Sequence, residues 1–164
     1  MFIEKNGAII VFILLCGDIM ERAINDATLV KAGDIFQYYI ALRDCFKLNS
    51  GDKLQIEVNG DVSLIAKLSK NSFQREVKHH FGDKNLIDRD VDFWKTLSNW
   101  YVEYDRIIAF SSLILHTTST IPSDSPFYNW NAKEANDKIT VLKSIGKLKK
   151  REKRHLESII IKFL

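Results

Sequence analysis

Lys53-Leu54-Gln55-Ile56-Glu57-Val58-Asn59-Gly60-Asp61-Val62-Ser63-Leu64-Ile65-Ala66 decides the fold. Leu54, Ile56 and Val58 alternate with Lys53, Gln55 and Glu57, and Val62, Leu64, Ala66 and Leu68 alternate with Asp61, Ser63 and Lys67. Side chains two apart on a strand share a face, so alternation marks a half-buried strand. Asn59-Gly60 between the two runs is the strongest short hairpin signal. Ser69-Lys70-Asn71-Ser72 makes a second turn, and Phe73 to His79 completes a three-stranded antiparallel meander.

The same parity sorts the charged residues. With Phe73 and Val77 on the core side, Glu76 and Lys78 project with Gln74, Asp61 and Glu57 on the polar face. Arg75 falls on the side of Phe73 and Val77, an anomaly for the parity argument unless it sits beyond the edge of a covering helix. Two carboxylates and one ammonium on neighbouring strands are the minimal kit for metal-dependent phosphodiester cleavage. Carboxylate oxygens are hard ligands suited to Mg²⁺. A bound divalent ion neutralises phosphate charge and acidifies its water. A lysine orients that water and stabilises charge on the phosphorus oxygens. Spacing alone leaves open a plain solvent-facing side of an antiparallel sheet.

Working outward, residues 18–48 read as helical in two pieces, with a break near Ala32-Gly33-Asp34 and Asp34 capping the second. Ile35, Tyr38, Tyr39, Leu42 and Phe46 form its apolar stripe. A further helix is predicted from Asp88 to Tyr104 with Val91, Trp94, Leu97 and Tyr101 inward, and three aspartates in its first turn favour a helix N-terminus. Arg106 to His116 reads as a buried strand. Residues 117–130 form a loop holding Pro122 and Pro126, and residues 131–164 a helical, basic segment. Residues 1–30 are an N-terminal extension without an assigned element. Its apolar run, Ala8 to Cys16, matches the h-region of a signal peptide but is too short to span a bilayer, which takes about 20 residues. A buried strand or core helix is favoured, with membrane association through residues 8–16 as a rival.

The 164 residues fit one domain with a true core, and 46% hydrophobic content excludes disorder. The net charge of +3 does not itself imply nucleic acid. Its distribution is more telling: Lys143, Lys147, Lys149, Lys150, Arg151, Lys153 and Arg154 crowd the C-terminal part. They are either a phosphate-binding surface or a solvated helix face. Cys16 and Cys45 support neither a disulfide framework nor a zinc site, and point to a reducing, cytoplasmic location. His79-His80 with Asn85 lacks the further histidine of an HNH-type metal site. There is no glycine-rich phosphate loop.

The order α-β-β-β-α-β, with an acid after the hairpin turn and E-x-K in the next strand, resembles the restriction-endonuclease-like core of PD-(D/E)XK nucleases. Gly33-Asp34-Ile35-Phe36-Gln37-Tyr38-Tyr39-Ile40-Ala41-Leu42, Ile56-Glu57-Val58-Asn59-Gly60-Asp61-Val62 and Glu76-Val77-Lys78-His79 are similar to the endonuclease domain of bacterial antiphage effectors often fused to SAVED sensors. Phe93-Trp94-Lys95-Thr96-Leu97-Ser98-Asn99-Trp100 is similar to that family's Trp-containing helix, and Thr117-Thr118 with Ser125-Pro126-Phe127-Tyr128-Asn129-Trp130 to its next segment.

The resemblance implies an α/β fold with a mixed sheet flanked by helices and a Mg²⁺- or Mn²⁺-dependent endonuclease of duplex DNA in antiphage defence. Asp61 and Glu76 are then metal ligands, Glu57 a further ligand, and Lys78 the catalytic lysine. Gln37 matches a glutamine of the family's first helix; it either contacts the site or is simply an exposed polar residue. His79 flanks the site, and Lys95 joins the C-terminal basic residues as a DNA contact. Two-strand cleavage implies a homo-oligomer, and the chain has no room for a regulatory sensor. The alternative is an inactive nuclease-fold domain that binds DNA or a partner protein.

Overall fold

A computed structural model describes residues 2–5, as backbone, and 27–146. The predicted meander is present. β1 (Phe2–Lys5), β2 (Lys53–Ile56), β3 (Val62–Ile65), β4 (Phe73–Lys78) and β5 (Ser112–Thr117) form one sheet in the order β1-β5-β4-β3-β2. β2, β3 and β4 pair antiparallel, whereas β4 with β5 and β5 with β1 pair parallel. The helices are α1 (Thr28–Cys45), α2 (Val91–Val102), the single turn α3 (Tyr104–Ile107) and α4 (Ala135–Ile145). The mixed sheet is thus flanked by helices in an α/β fold, and α1-β2-β3-β4-α2-β5 is the expected order.

Both faces of the sheet are covered. Phe36, Ile40 and Ala41 of α1 pack on Val62 and Val77. On the opposite face Phe93, Leu97 and Trp100 of α2, with Phe127, Trp130, Ile139 and Leu142, enclose Leu113 and Leu115 of β5. All three tryptophans serve packing: Trp100 and Trp130 are buried, and Trp94 lies against the same cluster.

Several expectations are corrected. α1 runs unbroken through Gly33 and Asp34. A helical glycine costs about 1 kcal/mol relative to alanine, less than the packing of Phe36, Ile40 and Ala41 returns. The buried stripe of α1 is Ala32, Phe36, Gln37, Ile40, Ala41 and Asp44, while Ile35, Tyr38, Leu42 and Phe46 are exposed. Two stripes of helical spacing compete on this helix. The one taken inward carries Gln37 and Asp44, and both find polar partners on the sheet.

Asp44 resolves the anomaly of Arg75. Arg75 does not lie beyond the helix edge: it is 3% exposed, and its guanidinium meets the Asp44 carboxylate at 3.1 Å and His116 Nδ1 at 2.9 Å. It also lies 5.0 Å over the Phe73 ring. β5 starts at Ser112 rather than Arg106, because Tyr104–Ile107 closes a helical turn first. α2 begins at Val91, with Asp90 accepting from the Phe93 amide at 2.9 Å. Its inward residues are Phe93, Thr96, Leu97 and Trp100; Val91 is exposed. The hairpin closes where Asn59-Gly60 stands, but by a longer connection, residues 57–61, with Glu57 (φ 57°) and Gly60 (φ 82°) left-handed.

Phe2–Lys5, within the unassigned extension, is an edge strand beside β5. The apolar run 8–16, Cys16 and the basic residues Lys147, Lys149, Lys150, Arg151, Lys153 and Arg154 lie outside the described residues. Lys95 and Lys143 are exposed on α2 and α4. Cys45 is an exposed free thiol. Among the described residues no helix is long and apolar enough to cross a membrane.

Candidate functional site

The site forms where the start of β3 meets the end of β4. Pairing of Val62 with Arg75 and Ser63 with Gln74 brings Asp61, one residue before β3, level with Glu76. Glu76 and Gln74 share the α2 face by strand parity. The Asp61 carboxylate is anchored by the Val77 amide, which donates to Oδ2 at 2.7 Å. The Lys78 ammonium lies 3.7 Å from Asp61 Oδ2 and 3.3 Å from Glu76 Oε2. Two carboxylates and one ammonium therefore converge, as parity predicts.

Their environments differ. Glu76 is 9% exposed, and Asp61 and Lys78 are about a quarter exposed at their side chains. Burial, with the neighbouring Asp61 charge, pushes the Glu76 carboxyl above its ordinary value, against the opposing pull of Lys78 and Gln74. The pair carries two negative charges against one ammonium, and that imbalance is what a divalent cation relieves. Mg²⁺ is commonly held by one or two carboxylates, keeping waters and substrate phosphate as its remaining ligands. Asp61 and Glu76 fit that demand, and Glu76 opens on a cleft of about 300 Å³ that also involves Gly60, Gln74, Asn99, Trp100 and Glu103.

Glu57 is exposed, and its contact is with Gln37 Nε2 at 3.4 Å. Among the described residues no group of three or more His, Cys, Asp and Glu side chains gathers to hold a metal ion. Gln37 is buried, not an exposed polar residue: Nε2 also donates to the Asp61 carbonyl at 3.1 Å and braces the connection from behind. His79 packs between Phe36 and Phe81, with ring centroids 4.9 and 4.7 Å away, on the α1 side. Burial lowers its basicity.

Three contributors escaped sequence reasoning. Gln74 Nε2 donates to Glu76 Oε1 at 2.9 Å, and the Trp100 indole N–H donates to Gln74 Oε1. Parity put Gln74 on the right face, but only the packing of α2 shows its partner. Asp92, half exposed at the head of α2, hydrogen-bonds Lys84 at 2.8 Å and lies 3.4 Å from His80 Nε2. The Lys84 contact, opposed by partial burial and helped by the charges of Lys84, His80 and Lys78, holds Asp92 below the ordinary carboxylate value. Burial, then the Lys84 charge, keeps His80 low.

The approach of Gly60 is also specific. A Cβ there would stand 1.8 Å from Gln74 Nε2 and 2.9 Å from Glu76 Oε1, at a φ of 82°. Gly60→Ala is expected to lose more than ~1 kcal/mol of stability in urea unfolding and to displace the Glu76 carboxylate. Unchanged stability would contradict this packing.

Comparison of the chain with protein-family models, with curated proteins and with solved structures gives no match. Fold and site by themselves define an α/β domain with an acid–acid–lysine cluster at one end of a mixed sheet.

Proposed function

We propose that the protein is a metal-dependent endonuclease that hydrolyses phosphodiester bonds of duplex DNA with Mg²⁺ or Mn²⁺. The observation that carries this reading is the convergence of Asp61, Glu76 and Lys78 on adjacent strands. The sequence resemblance to antiphage effector nucleases supports DNA as substrate and defence as setting. Cleavage of both strands calls for two such sites, hence a homo-oligomer. Lys95 and the C-terminal basic residues supply charge for the phosphate backbone.

Asp61 and Glu76 would hold the cation, which when bound acidifies water and offsets phosphate charge. The chain supplies the rest. The Val77 amide fixes the Asp61 carboxylate, so little reorganisation is needed when phosphate arrives. Lys78, already poised between the two acids, offers its ammonium to the attacking water or to charge gathering on the phosphorus oxygens. Burial beneath α2 keeps Glu76 in a low-dielectric setting, where its interaction with a cation is stronger than in water.

The test is nicking of supercoiled plasmid with Mg²⁺ and with EDTA, by the full chain and by Lys78→Met. Metal-dependent nicking is expected, reduced on the order of 10²–10³-fold in the variant. Absence of metal-dependent nicking by the unmodified chain overturns the reading and favours a DNA- or partner-binding domain.

A further inference from the structure

We infer that Gln74, held by Trp100, is a positioning residue that aims the Glu76 carboxylate and thereby sets the metal affinity of the site; this rests on the proposed metal-dependent function. The two oxygens of Glu76 are divided in use: Oε1 accepts from Gln74 Nε2 and Oε2 from Lys78 Nζ. With Oε1 engaged, rotation of the carboxylate costs a buried hydrogen bond, and Oε2 is kept on the side of Asp61 and Lys78.

The Gln74 amide is itself without freedom. An indole N–H can only donate, so the oxygen of Gln74 must face Trp100 and its NH₂ must face Glu76. The hydrogen bond from Trp100 therefore sets the amide the right way round. Gly60 closes against the same amide with no space for a methyl group. Gln74 and Trp100 are each 2% exposed, so the hydrogen bond between them is buried. Ligating carboxylates elsewhere depend on such outer partners, whose loss typically costs 10–100-fold in metal affinity.

The experiment measures Mn²⁺ binding to the full chain by titration calorimetry without DNA, alongside melting in EDTA, for Gln74→Met, Trp100→Phe and the double variant. Gln74→Met is expected to weaken Mn²⁺ binding ~10–100-fold. Trp100→Phe keeps a ring in the core and is expected to weaken it less. In the Gln74→Met background Trp100→Phe should add nothing to the metal effect, although its cost in melting temperature persists. A merely structural pair would move melting and leave Mn²⁺ affinity unchanged. Wild-type affinity in Gln74→Met, or independent addition of the two effects, overturns the inference and leaves the nuclease reading standing. Should Gln74→Met not fold, Trp100→Phe decides alone: unchanged Mn²⁺ affinity then overturns the inference. No Mn²⁺ binding by the unmodified chain overturns the proposed function, and the inference with it.

Discussion

Glu76→Gln is expected to abolish metal-dependent nicking and, in EDTA at neutral pH, to raise the melting temperature. The first effect follows from removing a charged ligand, and should exceed the 10²–10³-fold typical of a single electrostatic donor. The second follows from the environment of Glu76. Its carboxyl is pushed up by burial and by Asp61 despite Lys78 and Gln74, so the folded protein binds a proton there more tightly than the unfolded chain does. The stability carried by that proton is fully present below the unfolded glutamate value and is lost as pH rises through the folded value. At neutral pH the wild-type protein therefore bears the cost of an ionised buried group, which the neutral amide avoids. The variant forfeits the contact with Lys78, but that ammonium is partly exposed and keeps Asp61. A partly exposed pair of this kind is worth about 0–1 kcal/mol. The two proteins should converge in melting temperature as pH falls below the ordinary glutamate range. Nicking equal to wild type would remove Glu76 from the chemistry. A lower melting temperature at every pH would show that its ionised form is not costly.

The residues that were legible in sequence are those governed by local rules. Period-two alternation and Asn59-Gly60 placed β2, β3 and β4, and parity alone put Asp61, Glu76 and Lys78 on one face. What was not legible depends on contacts distant in sequence. Phe2–Lys5 is a strand because β5, more than a hundred residues later, offers a parallel edge; four residues carry too little pattern to announce it. α1 presents two stripes of helical spacing, and the inward one carries Asp44, whose partner Arg75 lies outside the helix. On α2 the packing against β5 and the chain after it turns Phe93, Leu97 and Trp100 fully inward and leaves Trp94 and Tyr101 at the margin. Spacing alone left open a solvent-facing side for the polar face of the sheet. It is instead roofed by α2, and this is why Glu76 is buried and why Gln74 and Trp100 matter.

Arg75→Met is expected to destabilise the fold by about 3–5 kcal/mol, the range for removing one partner of a buried ion pair. Asp44 and Arg75 are each almost wholly enclosed between α1 and the sheet. Removing the guanidinium leaves the buried Asp44 carboxylate facing the partly exposed Arg43, 3.0 Å away, and takes one partner from His116 Nδ1. Because arginine only donates, that ring nitrogen is an acceptor in the native protein, which places the histidine proton on Nε2. The double variant Asp44→Leu with Arg75→Met should recover much of the loss, since replacing a buried pair by apolar side chains is often neutral or favourable. Urea unfolding of the two single variants and the double variant measures the coupling directly. The contrast separates two roles for the pair. If the double variant is as unstable as Arg75→Met, Arg75 acts through His116 and Phe73 and not through Asp44. If it recovers, Arg75 acts by compensating Asp44, which shares the inward stripe of α1 with Gln37 behind Asp61. Loss of nicking in a stable double variant would then trace a line from α1 to the acid cluster, because Gln37 lies on the same stripe as Asp44.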